Sequence, residues 1–97
     1  MSFENHLEEE IRLVILRSLN ELPSYRGNSS TLHRRLTFFA IDVGRDKVKT
    51  ELYWLAEQGL IKIEEDLDSI MMVKLTPRGQ DVAEGRTRTH GVQRSSA

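Results

Sequence analysis

No cysteine occurs in this 97-residue chain. Disulfides, a thiolate nucleophile and a cysteine-ligated zinc site are therefore excluded, and the composition fits a reducing compartment. No apolar run approaches the roughly 18 residues that a membrane span requires, and the N-terminus carries glutamates where a secretory signal carries lysines. Together these absences predict a cytoplasmic protein with no membrane contact. A phosphate-cradling glycine loop is also missing, and Ser29, Ser30, His6, His33 and His90 form no nucleophile–base pattern. Asp66 and Asp68 lack the glycine and terminal glutamate of an EF-hand calcium loop. With neither a cysteine pair nor a histidine cluster, an effector-sensing metal site has no support. The expectation is a protein that is not an enzyme and carries no cofactor and no metal.

What is present suits a soluble globular domain: 38% hydrophobic and 30% charged residues, in a length that supports one modest core. The formal net charge is only -1, but it is unevenly distributed. Residues 1–22 hold five acids against Arg12 and Arg17, and residues 51–68 hold six acids against Lys62. Residues 23–50 reverse the sign, with Arg26, Arg34, Arg35, Arg45, Lys47 and Lys49 against Asp42 and Asp46. The segment from 69 onward is again basic. A cationic middle segment of this kind is an electrostatic footprint for nucleic acid.

The apolar periodicity predicts a first helix from about Glu4 to Leu22, its stripe formed by Leu7, Ile11, Val14, Ile15, Leu19 and Leu22. Leu13 and Leu16 widen that stripe beyond what one small core needs, so they are expected at a partner surface. Pro23 ends the helix. The segment Ser24–Ser30 reads as a loop, and Ser29 or Ser30 is suited to cap a second helix with Leu32, Leu36 and Phe39 inward. Ile41–Gly44 reads as a turn, with Gly44 free to take a positive φ. A third helix is predicted from Arg45 to Gln58, stopped by Gly59, with Val48, Leu52 and Leu55 inward and Trp54 anchoring the helix to the ribbon beyond it. Leu60–Glu64 and Ile70–Leu75 read as the strands of that ribbon, joined at Asp66–Ser69. Thr76 and Pro77 open a short last helix, and Gly85 closes it. From Arg86 to Ala97 there is little to bury, so residues 1–85 are expected to form the domain and 86–97 a basic flexible tail.

Helix, glycine stop, two-stranded ribbon and capped helix is the order of a winged helix-turn-helix, an α+β and mostly α fold. The residues Leu52–Ile61, reading Leu-Tyr-Trp-Leu-Ala-Glu-Gln-Gly-Leu-Ile, and Leu75-Thr76-Pro77-Arg78-Gly79 resemble winged-helix regulators of the arsenical-resistance and multiple-antibiotic-resistance type. The Trp54–Leu60 run, with Asp81–Arg86 and Gly91–Arg94, is similar to a small winged-helix protein of Mu-like bacteriophages and prophages. The resemblance covers nearly the whole chain and implies a phage origin and a fold.

In a DNA-binding winged helix the third helix enters the major groove. The expected reading residues are then Arg45, Lys47, Lys49, Thr50 and Tyr53, with Arg26, Arg34 and Arg35 on phosphates. The implied function is a transcriptional regulator that binds double-stranded DNA as a homodimer paired through Leu13 and Leu16. One feature opposes the usual pose: the ribbon turn reads Glu64-Glu65-Asp66-Leu67-Asp68, and phosphates repel such a cluster. The alternative is an adaptor in phage DNA packaging or assembly that meets a phage protein partner through this acidic wing.

Overall fold

The computed structural model describes residues 2–95. In chain order the elements are α1 (Phe3–Glu21), β1 (Arg26–Asn28), α2 (Ser29–Phe38), α3 (Arg45–Glu57), β2 (Ile61–Leu67), β3 (Ile70–Leu75) and α4 (Pro77–Ala83), with a short 3-10 turn at Pro23–Tyr25. This is a winged helix-turn-helix of four helices and a three-stranded antiparallel sheet ordered β1-β3-β2.

Local chemistry sets most of these boundaries. The Ser2 side chain accepts from Asn5 N–H at the start of α1, and the Thr76 hydroxyl accepts from Gly79 N–H at the start of α4, with Pro77 in its first turn. Gly59 takes φ +75° just beyond α3, where a side chain would strain the backbone. Three details differ from the expectation. Phe39, expected to face inward, is 54% exposed at the end of α2. The cap of α2 is Asn28, whose side chain accepts from Thr31 N–H at 2.8 Å. Ser29 instead accepts from Met71 N–H at 3.0 Å and ties α2 to the sheet. Gly44 has an ordinary φ of -77° as the residue before α3, and the left-handed position in that turn is Ala40.

Segment 26–28, expected as loop, pairs with Met72–Lys74 as β1. Three residues carry no period-two signal, so only the partner strand defines them. The wing is also longer than expected: β2 continues through Leu67, leaving Asp68 and Ser69 as the turn, with a bulge between Ile63 and Glu65. Along β3, Met71, Val73 and Leu75 point inward and alternate with half-exposed neighbours.

The core lies where α1, α2, α3 and β3 converge on Ile11, Ile15, Leu16, Leu19, Leu32, Leu36, Leu52, Leu55 and Met71, all fully or almost fully buried. Leu16 is 0% exposed and Leu13 only 7%. Leu16 therefore faces the protein's own core rather than a partner, and Leu13 keeps only an edge at the surface. The width of the α1 stripe has another cause: α1 is the central helix, covered on its further side by α4 and by the segment after it. Asn20 on α1 donates to Glu84 beside α4, and Gln93 N–H donates to the Glu9 carbonyl. Residues 86–95, expected as a solvated arm, lie back on the domain with Val92 buried. No helix of the described residues is long and apolar enough to cross a membrane.

Leu16→Glu is expected to unfold the domain rather than release a folded monomer, because an unpaired carboxylate at a fully buried site costs several kcal/mol. Circular dichroism with sedimentation analysis checks this, and a folded Leu16→Glu monomer contradicts it.

Candidate nucleic-acid interface

The expected reading residues sit on α3, and the structure separates them by what each already holds. Lys47 faces α1, where its ammonium pairs with Glu8 and, at 2.9 Å, with Glu51 one turn along α3. Glu51 is 1% exposed and also accepts from Arg12 Nε at 2.6 Å. The Arg12 guanidinium lies 3.8 Å from the centre of the Trp54 ring, and its Nη1 donates to the Gly91 carbonyl at 2.8 Å. A buried carboxylate is held by two cations, and one of those cations clamps the chain end against the only tryptophan. Gly91, at φ +91°, is required there, since a Cβ would come within 2.6 Å of the Trp54 ring. Trp54 thus anchors α3 to α1 and the chain end.

This cluster fixes protonation states. The Lys47 hydrogen bond holds the Glu8 carboxyl below its ordinary range, and the Glu8 hydrogen bond raises the Lys47 ammonium above its own. Lys47 is therefore held in an ion-pair cluster on the α1 side of α3 rather than standing free on its outer face. The pair with Glu51 is local and readable in the sequence, but Glu8 and Arg12 lie 39 residues from their partners, and those pairs are not.

The outer face of α3 carries Lys49, Thr50 and Tyr53. The Tyr53 hydroxyl donates to the Asp66 carboxylate on the wing, which pushes its ionisation above the ordinary tyrosine range and keeps the phenol a donor. The Lys49 ammonium donates to the Asp68 carbonyl at 3.3 Å, and the Thr50 hydroxyl donates back to the Asp46 carbonyl at 3.0 Å. The acidic wing tip thus lies along the outer face of α3, where Tyr53 and Lys49 donate to it. Among the other expected phosphate contacts, Arg26 is paired with Glu64 at 2.9 Å and Arg35 with Glu21 at 2.9 Å. Arg34 is exposed and, among the described residues, reaches only Thr31 of its own helix. Arg45 is exposed and has no acidic partner among the described residues.

What converges is a small cleft at the N-terminal ends of α2 and α3, lined by Ser29, Ser30, Arg45, Lys49 and Ser69. The cleft measures only ≈20 Å3, and its hydroxyls, two cations and the positive end of the α2 dipole favour negative charge at its mouth. His33 Nε2 lies 2.8 Å from the Val43 carbonyl and braces the turn between these helices.

The chain matches no established protein-family model. It is 48% identical over 88 residues to the gp26 protein of Escherichia phage Mu, across 91% of this chain and 90% of that protein. It is 41% identical over 78 residues to a protein of Haemophilus influenzae, across 80% of this chain and 76% of that one. A solved structure of RosR from H. salinarum superposes with a TM-score of 0.65 at 20% identity, over 76% of this chain and 66% of that chain. That likeness concerns the fold.

Two outcomes are expected of the buried cluster. Arg12→Ala should cost about 3 kcal/mol of stability, because Glu51 keeps only one cation, and should make residues 86–95 sensitive to proteolysis in the native state. Glu8 has a lowered folded value, so its contribution is present above the ordinary pH of about 4.5 and lost as the pH falls through that lower value. Denaturant melts across this acid range should show a shallower pH dependence in Lys47→Met than in the parent, and an unchanged slope contradicts the pairing.

Proposed function

The chain belongs to the family of the phage Mu gp26 protein, and we propose that it is a duplex-DNA-binding protein of phage or prophage origin, acting as a transcriptional regulator. The observation that carries this reading is the cleft of Ser29, Ser30, Arg45 and Lys49 at the start of α2 and α3. In a helix-turn-helix approach these ends face the duplex, where backbone N–H groups, hydroxyls and cations grip phosphates. Contact through the first turns of α3 leaves Tyr53, tied to Asp66, outside base readout. Affinity then rests on few phosphates, and sequence discrimination rests on Arg45 and its neighbours on the first turn.

A specific observation favours a second reading. The Tyr53 hydroxyl is tied to Asp66 of the wing, and Arg26, Arg35 and Lys47 are paired with carboxylates within the chain. A helix-turn-helix arranged in this way also suits an adaptor in phage DNA packaging or assembly, with the acidic wing meeting a basic protein surface.

Arg45→Ala with Lys49→Ala should weaken duplex binding, with the thermal melt unchanged. The dependence of log affinity on log salt should flatten by roughly 0.9 for every phosphate that the double variant no longer neutralises. Charge reversal of Glu65 and Asp68 to lysine should strengthen non-specific binding through long-range attraction. Electrophoretic mobility and fluorescence anisotropy titrations read both effects. A parent protein without duplex affinity at low salt rules out the DNA reading and leaves the adaptor.

A further inference from the structure

Among the apolar features that stay exposed after folding, two have surroundings of opposite charge. The first is an aromatic seat at the end of α2. Phe38 is 81% exposed and Phe39 54%, with ring centroids 5.3 Å apart and planes at 88°, an edge-to-face pair. Phe39 walls a groove of ≈270 Å3 with Leu13, Val14 and Arg17 of α1. Phe38 walls a second groove of ≈270 Å3 with Thr31, Arg34 and Arg35. The seat therefore spans both helices inside a rim rich in arginine. Glu21, one of two acids on that rim, is already bound to Arg35.

The second is a knob at the wing tip. Leu67 is 53% exposed and sits between Asp66 and Asp68, with Glu65 also exposed just before them. None of Glu65, Asp66 and Asp68 has a cationic side chain as partner among the described residues. A leucine within an acidic collar is a poor feature to leave in water and a poor match for phosphates. It matches an aromatic seat rimmed by arginine.

We propose that the protein self-associates head to tail, the Leu67 knob of one copy docking on the Phe38–Phe39 seat of the next. The charges select this pairing over the symmetric ones. Seat against seat opposes arginine to arginine, and wing against wing opposes carboxylate to carboxylate, whereas knob against seat pairs unlike rims. The contact is of the open, heterologous form, in which every docked pair keeps one free knob and one free seat and association continues past the dimer; a closed two-fold dimer with both knobs seated contradicts it. Docking also covers the carboxylates that would face phosphates when the same domain approaches DNA. The contact itself needs no DNA and does not rest on the DNA reading.

Sedimentation velocity of the full chain without DNA tests it. At high micromolar concentration and low ionic strength the parent should form species larger than a dimer, and these should shrink as salt screens the rims. Phe38→Asp and Leu67→Asp should each weaken association by more than about tenfold, the loss expected of an apolar anchor. Mixed together they should form a pair that stops at one copy of each, because only the intact wing of the first meets the intact seat of the second. Both positions are exposed, so helical circular dichroism should stay at the parent value. If an aspartate variant loses that signal, the serine variants at the same positions decide. A parent that stays monomeric, a Leu67→Asp variant that associates like the parent, or a mixture with no pair overturns the proposal.

Discussion

Glu51 is the constraint on which the arrangement depends. A carboxylate 1% exposed on α3 is tolerable only with cations at hydrogen-bond distance, and they come from Arg12 on α1 and Lys47 on α3. Meeting that demand sets how α3 lies against α1. It also directs Arg12 over Trp54 and towards the Gly91 carbonyl, which draws the chain end into the fold. One buried charge therefore couples two helices, an aromatic ring and a segment poor in apolar residues.

The same coupling decides which cations remain for a ligand. Six cations between residues 23 and 50 suggested a strongly basic surface, but Lys47 supports Glu51, Arg35 pairs with Glu21, and Arg26 spans the sheet to Glu64. Of the six, Arg45, Lys49 and Arg34 have no carboxylate partner among the described residues. The acidic wing is consistent with this economy: it lies along α3, offers Asp66 to Tyr53, and presents its remaining carboxylates outward. A surface of this kind discriminates between partners by placement of charge rather than by its total.

Much of the fold was legible because its signals are local. The period of the apolar residues marked α1, α2 and α3, Gly59 marked the end of α3, and Thr76-Pro77 marked the start of α4. Features defined by distant partners were not legible. Strand β1 exists only because β3 offers it hydrogen bonds. Residues 86–95 pack because α1 presents the Glu9 carbonyl to Gln93 and the Arg12 guanidinium to the Gly91 carbonyl. Leu13 and Leu16 looked like surplus apolar surface because the sequence does not show that α1 is covered on both sides. In the candidate site, residue types were readable, but which cations were already paired was not, since those pairs span up to 39 residues.

The placement of Trp54 has an optical consequence. It is the sole tryptophan, with a guanidinium over its ring and the Gly91 backbone against its edge. Its emission therefore arises from one chromophore whose surroundings combine α1, α3 and the chain end. Any event that lifts residues 86–95 or turns α3 relative to α1 changes the polarity and the nearby charge felt by the indole. The molecule thus carries an intrinsic gauge of its own closure, readable without an added label.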